Sequence, residues 1–250
     1  MTHVYEGAAK GFKPTYVIDH VLDDTEGYIG YLPSNNSIYV VFRGSVDLRS
    51  FVTDLSIDKK KYKSFPECDC EVHSGFYDAE QAVLPGILSH LSFLKGVYPT
   101  AAIKTTGHSL GAALALLTGL DLIKAGYSVQ MTNFGQPRVG NGKFSTFVKT
   151  KWPEHWRVVH HKDIVPHNPS SGILMEFWHT CYERYQDSTG MHACPDSSCE
   201  DPHCAAQWSP LVLNIDDHLS YLGMCMGVLC GGCGTSSTLD DTPLEDTPFL

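Results

Sequence analysis

The sequence predicts an α/β fold in which a central, mostly parallel mixed sheet carries helices on both faces. Strand-like runs alternate with helix-like runs along the 250 residues, and this alternation is typical of parallel sheets covered by helices. The clearest pair is residues 101–106, which contain β-favouring side chains, followed by residues 110–124, a run of Ala, Leu and Ile. Hydrophobic residues make up 42% of the chain and charged residues 18%, which is typical of a globular protein with a sizeable core.

The first elements are predicted to be a hairpin and a short helix. Residues 28–31 and 38–42 favour strands and flank a polar turn at residues 33–37, so they predict an antiparallel hairpin. Residues 46–57 follow with apolar side chains at helical spacing and polar side chains on the other face, which predicts a short amphipathic helix. Its apolar positions are Leu48, Phe51, Val52 and Leu55.

The later elements complete the predicted sheet. Residues 77–95 indicate a long helix that Pro85 and Gly86 should kink or split. Three further predicted strands, each followed by a loop that holds polar residues, are residues 129–134, 156–160 and 211–215.

We predict one domain over residues 1–235, because no linker divides the chain. Residues 236–250 contain a small duplication, in which an acidic pair is followed by Thr, Pro and an apolar residue. Such a composition favours a disordered acidic tail without a catalytic part. Residues 1–12 have no basic start followed by an apolar segment, so we expect a signal peptide to be absent because it has been removed.

Charge and hydropathy exclude several classes of partner. The formal net charge of −10 argues against nucleic acid, because phosphate binding requires a positive surface, and it gives no attraction to anionic lipid. No apolar run of the sequence is long enough to span a bilayer. We expect no cofactor and no metal, and we expect a monomer.

Nine cysteines are many for a protein of a reducing compartment, and eight of them lie outside the predicted core elements. We therefore expect disulfides and a secreted, extracellular protein. A zinc site is the alternative, because His192 and His203 interleave with Cys194, Cys199 and Cys204. The spacing of these residues fits no common zinc pattern.

A pentapeptide between the strand-like and helix-like runs is the strongest chemical signal: Gly107-His108-Ser109-Leu110-Gly111. A serine on a sharp strand-to-helix turn presents its hydroxyl at the edge of the sheet, and the flanking glycines give the room that the tight backbone needs. The pattern alone also arises by chance in a chain with 22 glycines. Its position between a strand and a helix favours Ser109 as a nucleophile.

A serine nucleophile needs a base and an orienting carboxylate, and the strand, turn and helix predict the chain order Ser, Asp, His. Asp163 follows the strand at residues 156–160, so it should lie at the carboxyl edge of the sheet, beside the serine. Asp121 is a weaker candidate, because it falls inside the helix after the turn, where a solvated helix face explains it. Asp163 is therefore the predicted acid.

The predicted base is His218, which comes late in the chain, on a loop after the strand at residues 211–215. His160 and His161 are too close in sequence to the predicted acid to approach it as free partners, and local packing or capping explains them. His108 adjoins the serine but should point away from it, so we expect it to have a structural role.

Acyl transfer also needs hydrogen-bond donors aimed at the developing oxyanion. The backbone amide of Leu110, at the start of the helix, is one predicted donor. Ser45 directly follows an early strand and offers both its amide and its hydroxyl. The other interpretation of this serine, a helix N-cap for residues 46–57, is compatible with that role.

Six motifs occur in a fixed order along the chain: Ile38-Tyr-Val-Val-Phe-Arg-Gly-Ser45, Val72-His-Ser-Gly-Phe76, Thr106-Gly-His-Ser-Leu-Gly111, Phe134-Gly-Gln-Pro-Arg-Val-Gly-Asn141, Lys162-Asp-Ile-Val-Pro-His167 and Asp217-His-Leu-Ser-Tyr221. Together they resemble the class 3 lipases, the family of secreted filamentous-fungal triacylglycerol lipases with the α/β-hydrolase fold. The resemblance covers most of the chain. It implies Ser109 as nucleophile, Asp163 as orienting acid, His218 as base, and Ser45 with Leu110 as the oxyanion hole.

The resemblance also assigns a role to the short amphipathic helix. Residues 46–57 resemble the family's lid, a helix that covers the site in water and opens at an oil surface. Its apolar face fits this motion, because that face can lie on the closed site or on lipid. An ordinary core helix has the same periodicity and remains the alternative.

The resemblance extends to some of the cysteines. A pair similar to Cys194 with Cys204 is present. The family's N-terminal helix and its cysteine are missing, so Cys230 lacks the partner that the family would give it. Cys68 and Cys70 match no cysteine of the family.

The predicted function is carboxylic ester hydrolysis, and the resemblance implies a triacylglycerol lipase that acts at a lipid–water interface and touches the lipid surface only peripherally. A soluble esterase of the feruloyl type and a phospholipase A1 are alternatives, because the triad does not specify the acyl group. The apolar face of residues 46–57 favours the interface. A catalytically silent lipid-binding module is the alternative from another class, and the intact set of five catalytic positions argues against it.

Overall fold

The computed structural model describes residues 9–20, 25–152, 154–171, 176–195 and 199–226, so the tail predicted for residues 236–250 lies outside the described residues. The strands are β1 (Lys13–His20), β2 (Thr25–Leu32), β3 (Ser37–Phe42), β4 (Lys59–Lys61), β5 (Glu71–His73), β6 (Ala102–His108), β7 (Val129–Phe134), β8 (His155–His160), β9 (Glu183–Asp187), β10 (Gly190–Ala193), β11 (Ser220–Tyr221) and β12 (Met224–Cys225). The helices are α1 (Leu48–Asp54), α2 (Ser74–Val97), α3 (Leu110–Lys124) and α4 (Gly142–Lys151).

Eight of these strands form one mixed sheet in the order β1-β2-β3-β6-β7-β8-β9-β10. The five strands from β3 to β9 are parallel, whereas β1, β2 and β10 pair antiparallel at the two edges. The predicted hairpin is confirmed, because β2 pairs with β3 from Gly27 opposite Phe42 to Leu32 opposite Ser37. Parallel strands bring their carboxyl ends to one edge, where ligands bind in open α/β sheets.

The core lies between the sheet and helices α2 and α3. Every residue from 111 to 122 of α3 is buried, as expected for a helix that is apolar on all sides. The helix contacts β3, β6 and β7, and α2 packs against α3 and the β1–β2 edge. On β3 the alternate residues Ile38, Val40 and Phe42 are fully buried, whereas Tyr39 and Val41 on the opposite face are half-buried.

Two predicted elements differ from the observed ones. Helix α2 is not split at Pro85, the second of the two outcomes predicted, because its buried face, which includes Ile87 and Leu91, holds it together despite the missing N–H. The strand predicted for residues 211–215 is wrong. Pro210–Val212 forms a 3-10 helix that Pro210 starts, and the following backbone pairs with the segment around Asp163 only through an isolated bridge at Asn214.

Three disulfides join described cysteines: Cys68 with Cys70, Cys181 with Cys199, and Cys194 with Cys204. The predicted disulfides and the pair that the resemblance implied are thus confirmed. The alternative of a zinc site is not supported, because Cys194, Cys199 and Cys204 are oxidised to disulfides and carry no thiolate to bind the metal. The pairing considered for Cys230 lies outside the described residues. None of the helices in the described ranges combines the length and the apolar character that a membrane crossing requires.

Candidate active site

Ser109 occupies the sharp turn between β6 and α3. Its backbone has φ 59° and ψ −127°, which is an unusual conformation for a residue with a side chain. Both flanking glycines are needed for the turn. A Cβ on Gly107 would lie 2.3 Å from the carbonyl carbon of Gly111, and a Cβ on Gly111 would lie 2.5 Å from the carbonyl oxygen of Phe42. The turn therefore presents the serine at the carboxyl edge of the parallel strands, as the motif predicted.

Asp163 and His218 form a buried pair at the same edge. Asp163 Oδ2 accepts a hydrogen bond from His218 Nδ1 at 2.7 Å, and both side chains are completely buried. The backbone N–H of Val165 donates to the other carboxylate oxygen at 2.8 Å. Because the carboxylate holds the proton on Nδ1, Nε2 of His218 carries the free lone pair.

Two atoms in this region are buried and have no hydrogen-bond partner among the described residues: Ser109 Oγ and His218 Nε2. Buried polar atoms are nearly always paired, so two unpaired atoms of complementary chemistry in one site indicate function rather than packing. Ser109 and His218 line the same cavity of about 430 Å³. The atoms needed for proton transfer from a serine to an imidazole are thus free of competing bonds.

Asp163 has a second buried side-chain donor, which the sequence reasoning did not assign. The phenol of Tyr221 donates to Asp163 Oδ2. Burial, with the charge of Asp163, raises the pKa of Tyr221 well above its usual range, so the phenol stays protonated and remains a donor. The signal in the sequence was the position of this tyrosine three residues after His218, at the end of the motif Asp217-His-Leu-Ser-Tyr221.

Gly135 is another contributor that the sequence reasoning missed. It has φ +56°, and a Cβ there would lie 2.7 Å from Cε1 of His218 and 3.0 Å from Oδ2 of Asp163. Only glycine therefore lets the chain after β7 pass beneath the acid and the base. A glycine directly after a parallel strand was the available signal.

His108 packs against His218. Its ring centroid lies 4.2 Å from that of His218, and its Nε2 donates to the backbone carbonyl of His218 at 2.8 Å. Burial, with the charge of His218, lowers the pKa of His108 to about 4, so it is neutral at neutral pH. The structural role expected for His108 thus takes the form of a support for His218.

The segment that carries His218 is held by two histidines at the end of β8, His160 and His161. His160 Nδ1 bonds the backbone carbonyl of Asp217 at 2.9 Å, and His161 Nδ1 lies 3.1 Å from the Asp217 carboxylate. These bonds join residues 57 and 56 positions apart in the sequence, so both histidines hold a distant segment and do not simply pack or cap locally as predicted. His218 itself lies on a 3-10 helix, Asp217–Leu219, and not on a loop after a strand.

Asp121 is not on a solvated helix face, so that interpretation was wrong. It is only 5% exposed, because α2 covers this side of α3. Its Oδ2 accepts hydrogen bonds from Ser64 Oγ at 2.9 Å and Gln81 Nε2 at 3.0 Å. These bonds lie away from the Asp163 and His218 pair.

Ser45 lies beside Ser109 because of the glycine before it. A Cβ on Gly44 would lie 2.9 Å from the carbonyl oxygen of His108 and 3.2 Å from Cβ of Ser109, so the two backbone segments are in close contact. Ser45 lines the same cavity as Ser109. Leu110 is the first residue of α3, and the first N–H groups of a helix have no partner within the helix.

Helix α1 covers one side of the cavity and is shorter than predicted, since only Leu48–Asp54 is helical. Asp47 caps it by accepting the N–H of Ser50 at 3.0 Å, so Ser45 is not the cap. All four predicted apolar positions are half-buried rather than buried. Phe51 stacks on Phe76 with ring centroids 6.3 Å apart, and Leu48 lines the cavity.

A mixed sheet with a serine on a strand-to-helix turn and a buried Asp–His pair at the same edge defines the α/β-hydrolase class. Residues 39–172 match the model of the family described as lipase (class 3), and the chain belongs to that family. The predicted fold and family are thus confirmed.

Relatives and solved structures agree with this assignment. The chain is 34% identical to a lipase of Rhizopus oryzae over 83% of this chain and 53% of that protein, and 33% identical to a lipase of Rhizomucor miehei over 82% and 57%. It therefore spans about half the length of the curated relatives it matches. Among structures, a Rhizomucor miehei triacylglyceride lipase superposes with a TM-score of 0.81 at 31% identity, covering 88% of this chain and 84% of that one. Lipase II of Rhizopus niveus gives 0.80 at 31%, with coverage of 86% and 82%.

Proposed function

We propose that this protein is a carboxylic ester hydrolase that acts as a triacylglycerol lipase at a lipid–water interface. The observation that carries the proposal is the pair of buried, unpaired atoms, Ser109 Oγ and His218 Nε2, in one cavity with Asp163 bonded behind the histidine. Family membership supports it, and a related triacylglycerol lipase has a serine protease triad at its catalytic centre.

The proposed mechanism assigns one step to each group. Ser109 Oγ attacks the ester carbonyl while His218 Nε2 accepts its proton, and Asp163 holds the imidazole and stabilises the imidazolium. The amides of Ser45 and Leu110, with the Ser45 hydroxyl, donate to the tetrahedral oxyanion. His218 then protonates the leaving alcohol, and a water that it deprotonates releases the acid from the acyl enzyme.

The apolar surface around the cavity favours a lipid substrate. Leu211 is 94% exposed on the segment that leads to His218, and Val46 beside α1 is 52% exposed. Met224 on the β11–β12 hairpin is 56% exposed. The cavity itself is lined by apolar Val46, Leu48 and Met226, which suit contact with lipid, and the half-buried face of α1 suits a lid that opens there.

The related secreted enzymes and the three disulfides support an extracellular protein.

Other acyl substrates remain second candidates for the same site. A secreted mono- and diacylglycerol lipase of Fusarium solani is 33% identical over 68% of this chain and 51% of that protein, which favours partial glycerides over a feruloyl-type ester or a phospholipid. The triad itself does not distinguish among these substrates.

The decisive experiment measures hydrolysis of glycerol esters of increasing chain length, below and above the solubility limit of each. We expect the rate to rise sharply when an interface forms, and we expect Ser109→Ala to abolish turnover without changing the circular dichroism spectrum. A folded Ser109→Ala variant that still hydrolyses esters contradicts the nucleophile, and a rate that ignores the phase boundary assigns the site to soluble esters instead.

A further inference from the structure

The turn between β2 and β3 contains an acceptor triplet for N-linked glycosylation. The pattern Asn-X-Ser, where X is not proline, occurs at Asn35-Asn36-Ser37. The other Asn-X-Ser triplet of the sequence has Pro169 at its centre, which excludes it. We infer that Asn35 is an N-glycosylation site of this protein. The proposal does not depend on which ester the enzyme hydrolyses.

The local structure exposes Asn35. Pro33–Asn35 forms a single 3-10 turn, and Asn36 then adopts a left-handed conformation with φ 49° that directs the chain back into β3. Residues 33–36 are all exposed. A bulky polar chain on this turn therefore meets solvent, as glycosylated asparagines do.

Side-chain bonding distinguishes Asn35 from Asn36. The Asn36 amide is fixed at both ends, because its Oδ1 accepts from Tyr31 Oη at 3.0 Å and its Nδ2 donates to Thr100 Oγ1 at 3.2 Å. Nδ2 of Asn35 makes one bond, to Tyr39 Oη at 2.8 Å. A primary amide has two N–H groups, so one can carry a sugar while the other keeps this bond.

The buried position of Ser37 sets the order of events. Its hydroxyl, the group that the acceptor pattern requires, is 1% exposed and donates to the carbonyl oxygen of Asn35 at 3.1 Å. Transfer therefore precedes the docking of β3 into the sheet. In that step Nδ2 of Asn35 forms a bond to C1 of a lipid-linked oligosaccharide diphosphate, the bond from C1 to the diphosphate oxygen breaks, and the amide releases one proton.

The turn lies at the opposite edge of the sheet from the site. Asn36 accepts the N–H of Ala102 at 3.0 Å, at the start of β6, whereas Ser109 follows the end of that seven-residue strand. At about 3.3 Å per residue the two ends are roughly 20 Å apart. A glycan on Asn35 therefore leaves the entrance to the cavity open, and it adds a hydrophilic group to the edge that faces away from lipid.

The test is to secrete the full chain from a eukaryotic host behind a cleavable leader and to measure its intact mass before and after treatment with peptide N-glycosidase. We expect a mass excess that the enzyme removes. Digestion in water labelled with oxygen-18 should place the label on Asn35, since release of the glycan converts that amide to a carboxyl. The secreted, esterase-active protein with the mass of the bare chain overturns the proposal, and so does a label on any other residue.

Two variants sharpen the assignment. Asn35→Gln removes the acceptor and should abolish the mass excess, whereas Ser37→Thr retains the acceptor pattern and should keep it. A mass excess that persists in Asn35→Gln contradicts the proposal. Because site mapping is done on the wild-type protein, the result stands even where a variant folds poorly.

Discussion

Asp163 receives three hydrogen bonds in a place without solvent: from His218, from the backbone of Val165 and from the phenol of Tyr221. A buried carboxylate remains ionised only when donors replace its lost hydration. The phenol is the one donor that can be removed without changing the shape of the site. Tyr221 is itself fully buried and does not line the cavity, so it touches the acid and not the substrate.

We therefore predict that Tyr221→Phe lowers kcat while leaving KM unchanged. Loss of a hydrogen bond to a charged group costs about 1.5 kcal/mol, which corresponds to roughly a tenfold fall in rate. Initial rates on a soluble short-chain ester measure this. Tyr185→Phe is the matched control, because it removes a buried phenol that bonds Trp208, away from the triad. A wild-type kcat in Tyr221→Phe means that the phenol does not support the acid.

The turn at Ser109 gives a second test at the level of single residues. Gly111→Ala places a Cβ against the backbone oxygens of Phe42, at 2.5 Å, and of Arg43, at 2.7 Å, so β3 and α3 must separate. We expect loss of activity and a lower Tm. Gly96→Ala, also within a helix, meets nothing within 4 Å and should raise stability by about 0.5 kcal/mol. Thermal unfolding and ester hydrolysis distinguish the two variants, and equal effects contradict the steric argument.

At the scale of elements, α1 is less buried than a core helix such as α3. Its apolar residues are half-buried, whereas twelve successive residues of α3 are buried. Apolar residues at helical spacing therefore occur both in a half-buried helix and in a buried one, and periodicity alone does not distinguish the two.

For α1 we predict that Phe51→Ser lowers the rate on emulsified substrate more than the rate on a dissolved short-chain ester. Losing part of an aromatic contact with lipid costs roughly 1 kcal/mol, or about a fivefold loss of interfacial binding. Phe93→Ser on α2, where the ring is 63% exposed, is the control and should leave both rates unchanged. A parallel fall in both rates together with a lower Tm for Phe51→Ser identifies α1 as an ordinary core helix.

The interface between α2 and α3 contains a pair of buried acids, Glu80 and Asp121. Burial, with the charge of Asp121, raises the pKa of Glu80 from 4.5 to about 8, and burial also raises the pKa of Asp121. The folded state thus holds a proton that the unfolded chain releases near pH 4.5. It follows that folding becomes less favourable as the pH rises from 4.5 towards 8.

We predict that Glu80→Gln flattens this part of the stability profile, because glutamine resembles the protonated acid and does not ionise. The variant should be more stable than the wild type at pH 8, and the difference should shrink towards pH 5. Urea unfolding at both pH values measures it. Glu67→Gln, at an exposed position, is the control and should follow the wild-type curve. A constant difference across the range would show that Glu80 does not titrate in the folded protein.

At the scale of the whole molecule, the sequence predicts those helices and strands whose residue pattern is regular within a short stretch of the chain. The observed bounds of α3 and β7 agree with the predicted ones. The apolar run of the helix and the alternation of the strand both stop close to Gly or Ser residues, which favour turns. Strands β9 and β10 were not predicted, because their mostly polar residues do not show the alternation of apolar and polar side chains that indicates a strand. They belong to the sheet through pairing with β8 and with each other.

Contacts between distant residues account for the other differences. Tyr221 reaches an acid 58 residues away, and Asp121 is buried by a helix 40 residues earlier, so neither fact is present in a local window. The proposed set of Ser109, Asp163 and His218 could be predicted from the sequence because the chain order Ser, Asp, His and the end of each strand restrict the candidates. The length of α1 could not be predicted from the sequence, since Asp47 rather than Ser45 caps the helix.

The two larger disulfides belong to the acid and base half of the molecule. Cys204 is followed by Ala205, whose carbonyl bonds His167, and the other ring nitrogen of His167 bonds the carbonyl of Asp163. β6 and α3, which carry the serine, contain no cysteine. Production in a reducing bacterial cytosol would therefore leave the turn at Ser109 without a lost crosslink, whereas the segment packed against Asp163 would lose one. Mild reoxidation of purified material, rather than refolding from denaturant, is the recovery step that this arrangement recommends.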